Sequence, residues 1–230
     1  MTPFTALDNT QYSTDGNPTV ATHDGQLVVA YLNDSGQLQA NYWKAAEGTM
    51  SATLVHPNLP TGWVGVGAPA IDFAESWAQR FVIFVRATKS GQTKLFETFF
   101  ENDHFAAAYG GTTGVWQSVT LPPGAPAISS DPGYEYNRND DDAFEAGTLF
   151  YRSGSKFYQV SANNVVDQFD TATLKVMTNP DNTSPNFTGY NPIVHGGVQF
   201  EAGHHWVLAR AADNQLYMGE SIQDYMIDPN

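Results

Sequence analysis

Four short openings recur along the chain: Asn17-Pro18-Thr19-Val20, Ala68-Pro69-Ala70-Ile71, Ala125-Pro126-Ala127-Ile128 and Asn191-Pro192-Ile193-Val194. Three residues beyond each proline come Ala21, Asp72, Ser129 and His195. If the openings are equivalent strands around one axis, these side chains share a level beside a narrow central channel. The carboxylate of Asp72 and the imidazole of His195 could then hold a cation, a ligand or a chain of water. They could also work as an acid–base pair on a bound small molecule. A satisfied, water-filled channel would use the same residues with no chemistry. Arg86, Arg152 and Arg210 form a second set, each directly after an apolar run of strand length. As equivalent positions they make a partial ring of guanidinium groups, suited to an anionic or polar-oxygen ligand or simply exposed by the repeat.

Other candidates carry less. His204 and His205 are adjacent, so on a strand they point to opposite faces and cannot chelate one ion together. The loop Asn137-Arg138-Asn139-Asp140-Asp141-Asp142 is rich in carboxylates, but it lacks the turn glycine and closing glutamate of a calcium loop. Phosphate-binding loops, G-x-S-x-G elbows and H-E-x-x-H helices are missing, and neither a metal nor a cofactor is expected.

The elements that must position these residues are read from the repeat. The openings are spaced by 51, 57 and 66 residues. After each comes an apolar strand: Leu27–Leu32, Phe81–Val85, Thr148–Tyr151 and Trp206–Ala209. A tight turn and a third strand follow, at Leu38–Trp43, Leu95–Phe100, Phe157–Val160 and Leu216–Met218. In the first copy, Asn33-Asp34-Ser35-Gly36 supplies turn residues, and Leu38, Ala40 and Tyr42 alternate with polar neighbours at the period of a half-buried strand. Three copies add a fourth strand, at Ala52–Val55, Gln117–Leu121 and Thr173–Met177. The fourth copy lacks one, and Phe4–Leu7 is available to complete it. Four-stranded units repeated about an axis make an all-β propeller. The expectation is a four-bladed β-propeller over residues 1–230, its last blade closed by the N-terminal strand, which hides the open edges. A β-sandwich would not explain the parallel openings. Insertions are expected at Phe73–Gln79, Pro132–Ala146, Asn102–Gly114 and Asn179–Tyr190.

The first hairpin, Ser35-Gly36-Gln37-Leu38-Gln39-Ala40-Asn41-Tyr42-Trp43, resembles the blade repeat of the fungal fucose-binding β-propeller lectins. The resemblance implies a sugar held by an Arg early in the second strand and a Glu in the third, with an aromatic stacked on its apolar face. In the first copy those positions are Val28 and Ala40. In the second, Glu97 matches the Glu, Arg80 stands for the Arg, and Phe100 sits where Trp43 does. With Trp77 or Trp116 near in sequence, they could supply the polar grip and aromatic plane that a sugar needs. A surface ion pair beside core aromatics would leave the same residues, and Trp63 and Trp116 also suit packing between blades.

Composition narrows the partners. The 230 residues are 41 % hydrophobic and 13 % aromatic, enough for a core, and include no cysteine. Disulfides and thiolate chemistry are therefore excluded. Ten basic side chains against 24 acidic ones give a net charge of −14, so nucleic acid and anionic membranes would be repelled. No apolar run is long enough to span a bilayer and no signal peptide is visible, so the expectation is a cytoplasmic protein or a secreted one with its signal removed. Two function classes follow. One is a carbohydrate-binding, lectin-like propeller without catalysis. The other is a small-molecule-binding propeller enzyme of the cyclising or pericyclic type, with its pocket at the channel mouth.

Overall fold

The computed structural model describes residues 18–74, 80–106, 116–138, 145–162, 169–170, 173–176, 186–189, 192–195, 204–210 and 216–222. All regular structure among these residues is β. Sheet A runs β1 (Thr19–His23), β2 (Gln26–Leu32), β3 (Leu38–Lys44) and β4 (Leu54–Val55), each strand antiparallel to the next. Sheet B holds β5 (Val64–Gly65), β6 (Ala70–Ala74), β7 (Arg80–Lys89), β8 (Gln92–Glu101), β9 (His104–Ala106) and β10 (Gln117–Ser118). Its centre is the long β7–β8 hairpin; β5 and β6 share the free edge of β7, and β9 and β10 share that of β8. Sheet C is β11 (Gly133–Arg138), β12 (Glu145–Ser153), β13 (Lys156–Ser161) and β14 (Thr173–Val176). Sheet D is β15 (Pro192–His195), β16 (His204–Arg210) and β17 (Leu216–Ile222).

The first strands stand side by side, β1 against β6, β6 against β11 and β11 against β15. Two hydrogen bonds stitch this row. Thr19 Oγ1 donates to the Pro69 carbonyl at 3.0 Å, and the Tyr136 N–H donates to Asp72 Oδ2 at 2.8 Å. Behind the row, the sheets pack face to face. Val28, Ala30, Leu38 and Ala40 of sheet A meet Phe81, Ile83, Val85, Phe96 and Phe100 of sheet B. The opposite face of sheet B puts Val82, Phe84, Leu95 and Phe99 against Tyr134, Leu149, Tyr151 and Val160 of sheet C. Sheet B is covered on both sides, which is why Phe81-Val82-Ile83-Phe84-Val85 is apolar throughout rather than alternating. Each fully buried Phe contributes on the order of 2–3 kcal/mol.

The first hairpin turns as its sequence indicates. Asn33 Oδ1 accepts from the N–H groups of Ser35 and Gln37, and Gly36 has φ 71°. This turn docks on β5, and a Cβ at Gly36 would collide with the Gly65 carbonyl, so glycine is required twice over.

Several expectations need adjustment. Ala125-Pro126-Ala127-Ile128 forms no strand. The first strand of sheet C is Gly133–Arg138, inside the segment read as an insertion. Tyr134 and Tyr136 supply its alternation towards sheet B, while the 129–131 segment is held by arginines instead. Ser129 therefore precedes the first strand and is not level with Asp72. The second and third strands are longer than their apolar cores, and Arg86, Arg152 and Arg210 lie within them. Fourth strands are short: Leu54–Val55, Gln117–Ser118 and Thr173–Val176. The segment Phe4–Leu7 lies outside the described residues.

Candidate functional site

The site is built where the first strands finish and the second begin. In sheet B, Asp72 pairs with Val82 and Ala74 with Arg80. Asp72 and Arg80 are thus two positions apart on one face, diagonal neighbours roughly 7–8 Å apart. Both side chains are half-buried. Asp72 is fixed by two backbone donors: Phe73 N–H reaches Oδ1 and Tyr136 N–H reaches Oδ2, both at 2.8 Å. Arg80 lies with its guanidinium 5.2 Å from the centre of the Phe99 ring, a cation–π contact that holds the group at the sheet end.

Phe73, next along β6, turns to the other face and meets β1. Its ring stacks on His23, with centroids 3.5 Å apart and planes 8° off parallel, and rests edge-on against Phe81. Both stacked rings are half-buried. His23 Nε2 lies 3.3 Å from Asp24 Oδ2 in the tight turn that follows. A carboxylate and a guanidinium on one face of β6 and a partly open aromatic stack on the other thus flank the end of that strand. Polar groups that take paired hydroxyls beside a plane for C–H groups are the requirements of sugar recognition.

The other sequence candidates fall elsewhere. Glu97 is buried, 1 % exposed, opposite Phe84 on the face towards sheet C. It lies four positions along the hairpin from Arg80, roughly 13 Å. Phe100 is fully buried on the opposite face, towards sheet A. The structure does not bring Arg80, Glu97 and Phe100 to one place. Trp116 is 9 % exposed and donates Nε1–H to the Pro57 carbonyl at 2.9 Å; it packs between sheets A and B. Trp77 lies outside the described residues. His195 ends β15 and Arg210 ends β16.

Arg86 and Arg152 meet at the opposite end of the sheets, around residues 129–131. Arg86 Nη2 donates to Asp131 Oδ1 at 2.8 Å. Arg152 Nη2 donates to the Ser129 carbonyl and Nη1 to that of Gly154, while its N–H donates to Ser130 Oγ. Burial, and then the charge of Arg86, lower the pKa of Arg152. These two arginines clamp the chain entering β11 between sheets B and C.

Sequence reasoning reached Asp72 and Arg80 by separate routes, and their pairing needed the register. His23 and Phe73 were missed. The faint signal was Phe73 directly after Asp72, in the first strand of the repeat. Among the described residues, no group of three or more His, Asp or Glu is placed to hold a metal ion.

No family model and no curated protein matches the chain. Solved structures do. A xylan β-1,4-xylosidase from Bacillus halodurans C-125 aligns over 92 % of this chain and 41 % of its own, with a TM-score of 0.50 and 10 % identity. A glycosyl hydrolase from Bacteroides ovatus aligns over 90 % of this chain and 84 % of its own, with a TM-score of 0.43 and 9 % identity. The chain spans less than half the length of the xylosidase. At such identity the likeness speaks to the fold, which is all-β and similar to that of β-propeller glycosyl hydrolases.

Proposed function

We propose that the protein is a four-bladed propeller that binds a carbohydrate, without catalysis, where its first strands end. Sheets A to D are the blades, and Phe4–Leu7 adds the fourth strand to sheet D, which has three among the described residues. The observation carrying the binding reading is the diagonal pair Asp72 and Arg80, with the His23–Phe73 stack across the same strand end. Asp72 accepts hydroxyl protons, Arg80 donates to sugar oxygens, and the stacked rings take the C–H face. The lectin-like hairpin and the carbohydrate-active character of the structural neighbours support the same ligand class.

Among the described residues, the carboxylate of the neighbouring first strand favours binding without chemistry over hydrolysis. Glycoside hydrolysis needs two carboxyl groups flanking one bond. Glu135 of β11 alternates with Tyr134 and Tyr136, which face sheet B, so its side chain enters the layer on the other side of β11 from Asp72. The test is a glycan array with the wild type and Arg80→Ala. Binding lost in the variant, with an unchanged melting temperature, supports the reading. Failure of the wild type to bind any sugar overturns it.

A further inference from the structure

Resting on that reading, the end of sheet A carries more polar surface than a single sugar would use. His23 on β1, Gln26 on β2 and Lys44 on β3 are cross-strand partners in register, His23 opposite Gln26 and Gln26 opposite Lys44. All three share one face: they alternate in phase with Ala21, Val28 and Tyr42, which pack against sheet B. The row therefore runs along the lip of the layer between sheets A and B. It extends outwards from the first strand over two strand spacings, roughly 10 Å.

Sheet B supplies the facing wall. Gln26 Nε2 donates to the Asn102 carbonyl in the β8–β9 turn at 2.5 Å. Asn102 has φ 53°, which turns the chain sharply and presents Asp103 and His104. Those two side chains are hydrogen-bonded at 3.0 Å and exposed. Gln26, the cross-strand partner of Lys44, ties this turn to the row, and the His104 contact and, more weakly, the charge of Lys44 hold the Asp103 carboxyl below its usual pKa. The Lys44 ammonium lies over the Tyr42 ring, with Nζ 5.2 Å from the ring centre. Donors and acceptors thus alternate along a strip that begins at the His23–Phe73 stack and ends at Lys44 and Asp103.

We infer that this strip is an extended subsite, and that the ligand is an oligosaccharide chain lying across the A–B seam rather than a lone monosaccharide. The first sugar sits on the His23–Phe73 stack, at the strand end it shares with Asp72 and Arg80. The following sugars hydrogen-bond to Gln26, Lys44 and Asp103. Besides Asp103, two carboxylates touch the strip, Asp24 beside His23 and Glu47 beside Lys44, so the strip is acidic in sum and a neutral chain suits it better than an acidic one.

Isothermal titration tests this with xylose, glucose and mannose and their β-1,4-linked dimers and tetramers. For any of these sugars that binds, the tetramer should bind about tenfold or more tightly than the monomer. Lys44→Ala and Asp103→Asn should remove most of that gain while leaving monomer affinity unchanged. Arg80→Ala should weaken monomer and tetramer alike. A monomer that binds without any gain on lengthening overturns the extended subsite but leaves the parent reading standing. A gain that persists in both strip variants also overturns it. Failure of every probe overturns the parent reading and this inference together.

Discussion

His56 Nε2 lies 2.7 Å from Thr98 Oγ1, a buried hydrogen bond that spans sheets A and B. The other ring nitrogen, Nδ1, is 2.7 Å from the Pro57 carbonyl. A carbonyl only accepts, so Nδ1 carries the proton and Nε2 accepts from the threonine. Phe105 and Trp116 pack around the ring. Burial pushes the imidazole down from 6.5 to about 4, opposed in part by the Pro57 contact. The folded state thus holds His56 neutral, while the unfolded chain takes up its proton below pH 6.5. Stability from this group is complete above that pH and falls as pH drops from 6.5 to about 4. The loss should be on the order of 3 kcal/mol. Urea midpoints measured across this range should fall, and His56→Gln should flatten the dependence from a lower starting stability.

Gly36 stands at the junction of the first hairpin with β5. Gly36→Ala combines a left-handed backbone with a collision against the Gly65 carbonyl. It should cost roughly 2 kcal/mol or more. Gly91 shares the left-handed conformation at the β7–β8 turn but has open space around it, so Gly91→Ala should cost less, about 1 kcal/mol. Equal losses in chemical denaturation would show that backbone strain, not the close approach, decides the effect.

Arg86 and Asp131 form an ion pair with 21 % and 11 % side-chain exposure. Removing either partner takes the ion pair from the other in a mostly dry place. Arg86→Met and Asp131→Asn should each cost roughly 2–3 kcal/mol, discounted from the fully buried case for the remaining solvent. The double variant should recover part of that, and strictly additive losses in a double-mutant cycle would argue against a direct pair.

Asp72 serves the fold and the proposed ligand together. Asp72→Ala leaves the Tyr136 N–H without its acceptor and should destabilise by about 1–3 kcal/mol. Asp72→Asn keeps a carbonyl oxygen for that donor, so stability should be largely restored while sugar affinity stays reduced. Full recovery of binding with Asn would assign Asp72 to the fold alone.

The sequence was most transparent where local chemistry and tertiary demand agree. The first hairpin is the best case: Asn33 and Gly36 form the turn, and Leu38 and Ala40 point into the core. It was least transparent around β11. Proline at Ala125-Pro126 imitates the other openings, yet no strand forms there, and the chain just beyond, at 129–131, is held by Arg152 and Arg86 in contacts that no local pattern encodes. The candidate site was half visible. Asp72 and Arg80 are separated by eight positions, and their proximity depends on the β6–β7 register. Glu97 looked like a ligand-binding acid from its place in the strand, but alternation alone does not tell an outward face from an inner one when both faces of sheet B are covered.

The double coverage of sheet B also shapes how the chain reaches its native state. Arg80–Lys89 holds a five-residue run of Phe, Val and Ile with strong β preference and no charge inside it. Before both neighbouring sheets have docked, that run is an adhesive segment able to pair with its like on another chain. Arg80 and Arg86 bracket it, and repulsion between like-charged copies would discourage stacking in register. The same two arginines, one at the proposed site and one at the sheet junction, would thus act as gatekeepers during folding. Neutralising both should raise the yield of insoluble protein even where the folded state survives.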